Sequence, residues 1–171
     1  MIRTFLAVEL SQELRTELAT VQHELMHRIE PEMKRGTRIS WAQPASIHVT
    51  IKFLGDTDEQ VIDPLLVAVE QAIESRSAVT VPLDRLGAFP RPQSPRVLWV
   101  GPSESWERGE EAERLAEIHG AIEEACEGLR LLRETRPFCP HLTSRIGEER
   151  SAGSAAIIGL TGGGVGRADE E

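Results

Sequence analysis

Two tripeptides carry side chains from which a proton-transfer site can be built, His48-Val49-Thr50 and His141-Leu142-Thr143. With five histidines and ten threonines in 171 residues, chance yields roughly 0.3 of a His-x-Thr pattern, so one copy means little and two mean much more. Both lie in segments that read as strands. Residues i and i+2 of a strand point to the same side, so each tripeptide projects an imidazole and a hydroxyl together. An imidazole with its ordinary pKa near about 6.5 serves as acid or base near neutral pH. The hydroxyls of Thr50 and Thr143 can donate to phosphate oxygens where negative charge develops. Opening a 2',3'-cyclic phosphate asks for this set: a base for the incoming water and an acid for the departing ribose oxygen on the opposite side. No metal or cofactor is required.

Other candidates surround this pair. Lys52 and Arg145 are placed to touch substrate phosphates, though each reads equally well as a solvated strand residue. Trp41 could stack an unpaired base, but packing is the preferred reading, and Arg96 and Trp99 are read as shaping the fold rather than contacting RNA. A competing motif is His23-Glu24-Leu25-Met26-His27, which matches the His-Glu-x-x-His zinc signature on a helix. The apolar stripe Leu18, Val21 and Leu25 leaves His23 and His27 on the flank or solvent side, and no third ligand is selected. A zinc peptidase using His23, Glu24 and His27 is therefore a minor alternative. His119, within the third helix, reads as structural or exposed.

Composition bounds the chemistry. A net charge of −9 argues against a broad electrostatic grip on nucleic acid, which needs many Lys and Arg against phosphates. An RNA substrate has to be held locally. Seventeen of the 19 basic residues are Arg, whose planar fork suits bidentate phosphate contact. No apolar run approaches the roughly 20 residues of a bilayer span, and a short apolar start followed at once by an acidic helix lacks a secretory pattern. A cytoplasmic, monomeric protein is expected, with Cys126 and Cys139 as free thiols.

The elements that position the tripeptides follow from periodicity. Residues 2–8 read as a strand, and Ser11 caps a helix whose stripe is Leu14, Leu18, Val21, Leu25 and Ile29, ended by Pro31. A strand through 38–41 precedes the run 47–54, in which Ile47, Val49, Ile51 and Phe53 share one face and His48, Thr50 and Lys52 the other. A second helix spans about 58–74, starting near 60–63 because of Pro64. Strands at 79–83 and 96–100 flank a Pro-rich loop, a third helix spans about 106–126, and 138–143 opens a last strand. Residues 1–150 are expected to form one bilobal domain, and 151–171 a flexible, Gly/Ala-rich acidic tail.

The chain resembles the 2H phosphoesterases, and within them the bacterial and archaeal RNA 2',3'-cyclic phosphodiesterases, also called 2'-5' RNA ligases. The resemblance rests on Arg3-Thr4-Phe5-Leu6-Ala7-Val8-Glu9-Leu10, on Trp41 and Pro44 ahead of His48-Val49-Thr50-Ile51-Lys52-Phe53-Leu54-Gly55, and on Leu86-Gly87-Ala88-Phe89-Pro90, Pro95-Arg96-Val97-Leu98-Trp99 and Phe138-Cys139-Pro140-His141-Leu142-Thr143. It implies an α+β fold with two antiparallel sheets flanking a central cleft and helices outside. It also implies His48 as proton donor and His141 as proton acceptor, acting on RNA with a 2',3'-cyclic end or a small cyclic nucleotide to leave a 2'-phosphate, with reversible 2'-5' joining. After Thr143 the pattern departs: Ser144 stands where an apolar residue is usual and Arg145 comes one position early. That departure keeps open an RNA-binding module with degraded activity.

Overall fold

A computed structural model describes residues 1–29, 31, 41–89, 97–145, 155–161 and 164–169. The expected strand at 38–41 lies outside these residues except for Trp41, and Arg96 lies outside them altogether. The strands are β1 (Ile2–Glu9), β2 (His48–Thr57), β3 (Arg85–Phe89), β4 (Val97–Gly101), β5 (Leu142–Arg145), β6 (Ala155–Thr161) and β7 (Gly164–Asp169), and the helices are α1 (Gln12–Ile29), α2 (Ile62–Ile73) and α3 (Glu110–Gly128). The fold is α+β. None of the helices described is long and apolar enough to cross a membrane.

Side-chain caps lead into the first two helices. Leu14 N donates to the Ser11 hydroxyl at 3.2 Å, which is the cap expected for α1. Asp58 accepts from Gln60 N at 3.1 Å and opens a 3-10 turn that leads into α2. Pro64 then falls in the first turn of α2, where its missing N–H costs nothing. Ile62, Leu65 and Val69 of α2 and Ile122 and Cys126 of α3 pack on Leu6 and Ile51 to form the core. By contrast, α1 has no fully buried residue, and Val21 in its apolar stripe is 47% exposed.

The strands form one sheet in the order β3-β4-β5-β2-β1-β6-β7 rather than two separate sheets. The junction is the antiparallel pair Val49–Leu142 between β2 and β5. β5 also pairs with β4, so it links the two halves of the sheet, on the β2 side through this one pair. Among the described residues all ladders are antiparallel except β1–β6, which is parallel.

Three further sequence expectations change. The segment 79–83 is not a strand: Pro82 lacks a donor, and the backbone of Thr80 is engaged by Glu111 and by the Trp106 indole instead. The neighbouring strand is Arg85–Phe89. The stretch expected to be a flexible tail contains β6 and β7, and β6 runs along the free edge of β1 from Arg3–Ala155 to Val8–Leu160. An unpaired central strand would leave a row of backbone donors and acceptors unsatisfied, so the apolar run 155–160 is recruited there. The sheet therefore continues past residue 150.

Candidate active site

The third change concerns β2 and decides which side chains share a face. Thr4 pairs with Gly55, Phe5 with Phe53, Leu6 with Lys52 and Ala7 with Thr50, with register shifts at both intervals. Ile51 and Leu54 are thus extra residues in β2, two β-bulges that reset the alternation. Below the first bulge, His48 and Thr50 share a face with Glu9, Ala7 and Phe5. Above it, Lys52 turns to the core face opposite Leu6, and Phe53 turns to the histidine face, where it is 55% exposed. Lys52 is therefore not beside Thr50. It is 3% exposed and donates to both carboxylate oxygens of Glu123 at 2.9 and 2.7 Å and to Leu132 O at 2.7 Å.

The two tripeptides meet across the β2–β5 junction. In an antiparallel ladder the neighbours of a pair face one another crosswise, so the Val49–Leu142 pair sets His48 across from Thr143 and Thr50 across from His141. Val49 packs against the core and Leu142 is 4% exposed, which turns all four polar side chains to the opposite face. Thr50 and Thr143 are exposed, and both imidazoles are half-buried.

Each histidine is held in the same way. Nδ1 of His48 lies 3.0 Å from Ser46 O, and Nδ1 of His141 lies 2.8 Å from Cys139 O. A carbonyl can only accept, so Nδ1 carries a proton in both rings and the neutral form has its lone pair on Nε2. The local sequence builds this contact twice. Pro44 opens a 3-10 turn over Pro44–Ser46 that presents the Ser46 carbonyl, and Pro140 holds the chain ahead of His141. His48 stacks on Phe5 with centroids 4.9 Å apart. His141 meets Trp99 and Phe89 edgewise at 6.2 and 6.4 Å.

Positive charge reaches this face from residues that the sequence reading did not single out. Arg3 lies 5.1 Å over the Phe53 ring, and Arg85 lies 5.1 Å over the Trp99 ring while paired with Glu107 and, at 3.7 Å, Glu104. Strand parity with Phe5 and with Trp99 was the available signal. Parity along β3 requires knowing that Gly87 faces Trp99, which is a register fact. Arg145 ends β5 opposite Val97, and its side chain lies outside the described residues. Trp41 lines a small cavity with Leu18, Val21, Leu25 and Ile47. A cavity of about 870 Å³ lies behind the sheet, lined by apolar residues such as Val49, Ile51, Ile118 and Phe138 with His141 among them. Glu70, Glu74 and Arg76 also line it, but no second imidazole does; the two His-x-Thr tripeptides face one another across the β2–β5 pair instead.

Other titratable groups fall elsewhere. His119 stacks on Phe138 at 4.7 Å with Nε2 3.6 Å from Glu123, and burial holds its pKa below the ordinary histidine value. His23 and His27 are exposed on α1, and the described residues contain no group of three His, Cys, Asp or Glu side chains suited to one metal ion. Cys126 and Cys139 are unpaired thiols.

Residues 8–99 match the family model of the LigT-like phosphoesterases, a span that includes His48 and Thr50 and stops short of His141. A Thermotoga maritima protein named RNA 2',3'-cyclic phosphodiesterase is 30% identical over 58% of this chain and 50% of its own length. A Methanocaldococcus jannaschii protein of the same name is 28% identical over 83% of this chain and 69% of its own. The chain thus spans about half of the Thermotoga relative and about two thirds of the other. In fold it is similar to Escherichia coli LigT complexed with 3'-AMP, with TM-score 0.60 and 16% identity over 99% of this chain and 95% of that one. It is similar also to TT0787 of Thermus thermophilus, with TM-score 0.52 and 24% identity over 96% and 93%.

Proposed function

This chain belongs to the LigT-like phosphoesterase family, and from that premise we propose that it opens RNA 2',3'-cyclic phosphodiester ends to 2'-phosphates without a metal ion. The observation that carries the reading is the crosswise placement of two His-x-Thr tripeptides about the Val49–Leu142 pair. His141 takes a proton from water through Nε2 as the water oxygen bonds to phosphorus. The bond from phosphorus to the 3' oxygen breaks, and protonated His48 gives that oxygen its proton. The Nδ1–H donated to a backbone carbonyl keeps Nε2 as the working nitrogen and steadies each imidazolium. Thr50 and Thr143 donate to the non-bridging oxygens, and Arg3 supplies local positive charge that an acidic protein otherwise lacks. With a 5' hydroxyl in place of water, the same exchange forms a bond from the 5' oxygen to phosphorus as the bond to the 3' oxygen breaks, which joins the cyclic end through a 2'-5' linkage; run backward, it cleaves that linkage and restores the cyclic end. The chain acts as a monomer on the RNA end, and the relatives of the same family name support RNA as substrate.

The test is an assay of adenosine 2',3'-cyclic phosphate in EDTA. The protein yields the 2'-phosphate, and His48→Ala and His141→Ala each abolish it, while Thr50→Val or Thr143→Val lowers kcat about 10²- to 10³-fold. Turnover that survives both histidine substitutions overturns the assignment.

A further inference from the structure

We infer that His23 and His27 form a peripheral two-histidine site for a single divalent transition metal ion such as zinc, separate from the phosphodiester site. They stand one turn apart on α1, with Nε2 atoms 3.2 Å apart and rings 4.4 Å between centroids at 78°. Metal–nitrogen bonds of about 2.0–2.1 Å span that separation when the angle at the ion is about 100°, between the square-planar and tetrahedral values. The helix sets the spacing, and the rings already hold the separation, so little rotamer freedom is left to lose on binding. Both side chains are exposed. Leu18, Val21, Gln22 and Leu25 of the same helix line the cavity against Trp41 and Leu98, which turns the histidines away from the sheet.

The site differs from that of a zinc peptidase. Among the described residues no third His, Cys, Asp or Glu joins the pair, so water fills the remaining positions on the ion. Glu24, one residue on from His23, projects about 100° further round the helix. The consequence is structural: an ion bridging residues one turn apart holds that turn of α1, the helix with no fully buried residue of its own. Because imidazole binds as the neutral ligand, affinity falls as the pH is lowered.

The test is calorimetric titration of the untagged full chain with zinc chloride near pH 7.5, with copper(II) as a second probe expected to bind more tightly. One ion binds per chain and raises the thermal midpoint, and His23→Ala or His27→Ala weakens binding at least tenfold and removes the thermal shift. His48→Ala, which disables the phosphodiester site, leaves zinc binding unchanged. Circular dichroism of the exposed-site variants verifies that α1 remains folded. Zinc affinity unaltered in His23→Ala and His27→Ala, loss of binding in His48→Ala instead, or no saturable heat overturns the inference.

Discussion

Lys52 of β2 and Glu123 of α3 close a buried ion pair, with both side chains at most 2% exposed. The pair also fixes the segment that leads to His141: Lys52 donates to Leu132 O at 2.7 Å, and Glu134 N donates to Glu123 at 3.0 Å. One lysine thus connects the strand of His48 to the approach of His141. Removing one partner strands a charge in the core, which costs about 3–5 kcal/mol. Glu123→Gln and Lys52→Met are each expected to lower unfolding stability by about that amount, while the double variant Lys52→Met/Glu123→Leu loses less than either alone. Urea unfolding measures all three, and additive losses would falsify the coupling.

His119 gives stability a pH dependence of definite sign. Burial lowers its folded pKa below 6.5, opposed mainly by the Glu123 carboxylate. Below about pH 6.5 the unfolded histidine binds a proton that the folded one resists, so its contribution is complete above that pH and is lost as the pH falls toward the folded value. Stability of the wild type relative to His119→Gln is expected to decline on acidification from pH 7. Parallel curves for the two proteins contradict the assignment.

Gly87 lies opposite Trp99 in the β3–β4 ladder, and a Cβ there would sit 2.1 Å from the indole Cζ2. The absence of a side chain lets the ring lie over the strand and reach His141. Gly87→Ala is expected to cost about 1–3 kcal/mol through overpacking and to reduce turnover further by displacing the ring beside the histidine. Thermal melts and kcat measured together separate the two effects, and wild-type values for both refute the contact's role.

The two cysteines are expected to label differently. Burial pushes the Cys126 thiol up to about 11, whereas Cys139 is exposed, with a pKa raised by partial burial and then by Glu107. A disulfide reagent at pH 8 should titrate one thiol in the native protein and two after denaturation. Two rapidly reacting thiols in the folded state contradict this arrangement.

Much of the architecture is readable in the chain because it depends on neighbours in sequence. Ser11 caps α1 through a contact three residues away, α2 and α3 bury stripes of helical period, and His48 with Thr50 share a face because no bulge falls between them. The same two-residue parity holds for His141 and Thr143. These local rules determined the candidate side chains and the chemistry open to them.

What the chain could not reveal by itself depends on pairing between distant segments. A bulge is an excess of residues in one strand relative to its partner, so the turn of Lys52 into the core exists only once β2 is in register with β1. The Val49–Leu142 pair, 93 positions apart in the numbering, decided that the two tripeptides face one another crosswise. The need to satisfy the free edge of β1 decided that the Gly/Ala-rich stretch supplies β6. Periodicity reports which side of a strand a residue occupies, whereas register is set by hydrogen bonds and packing that exist only in the assembled sheet.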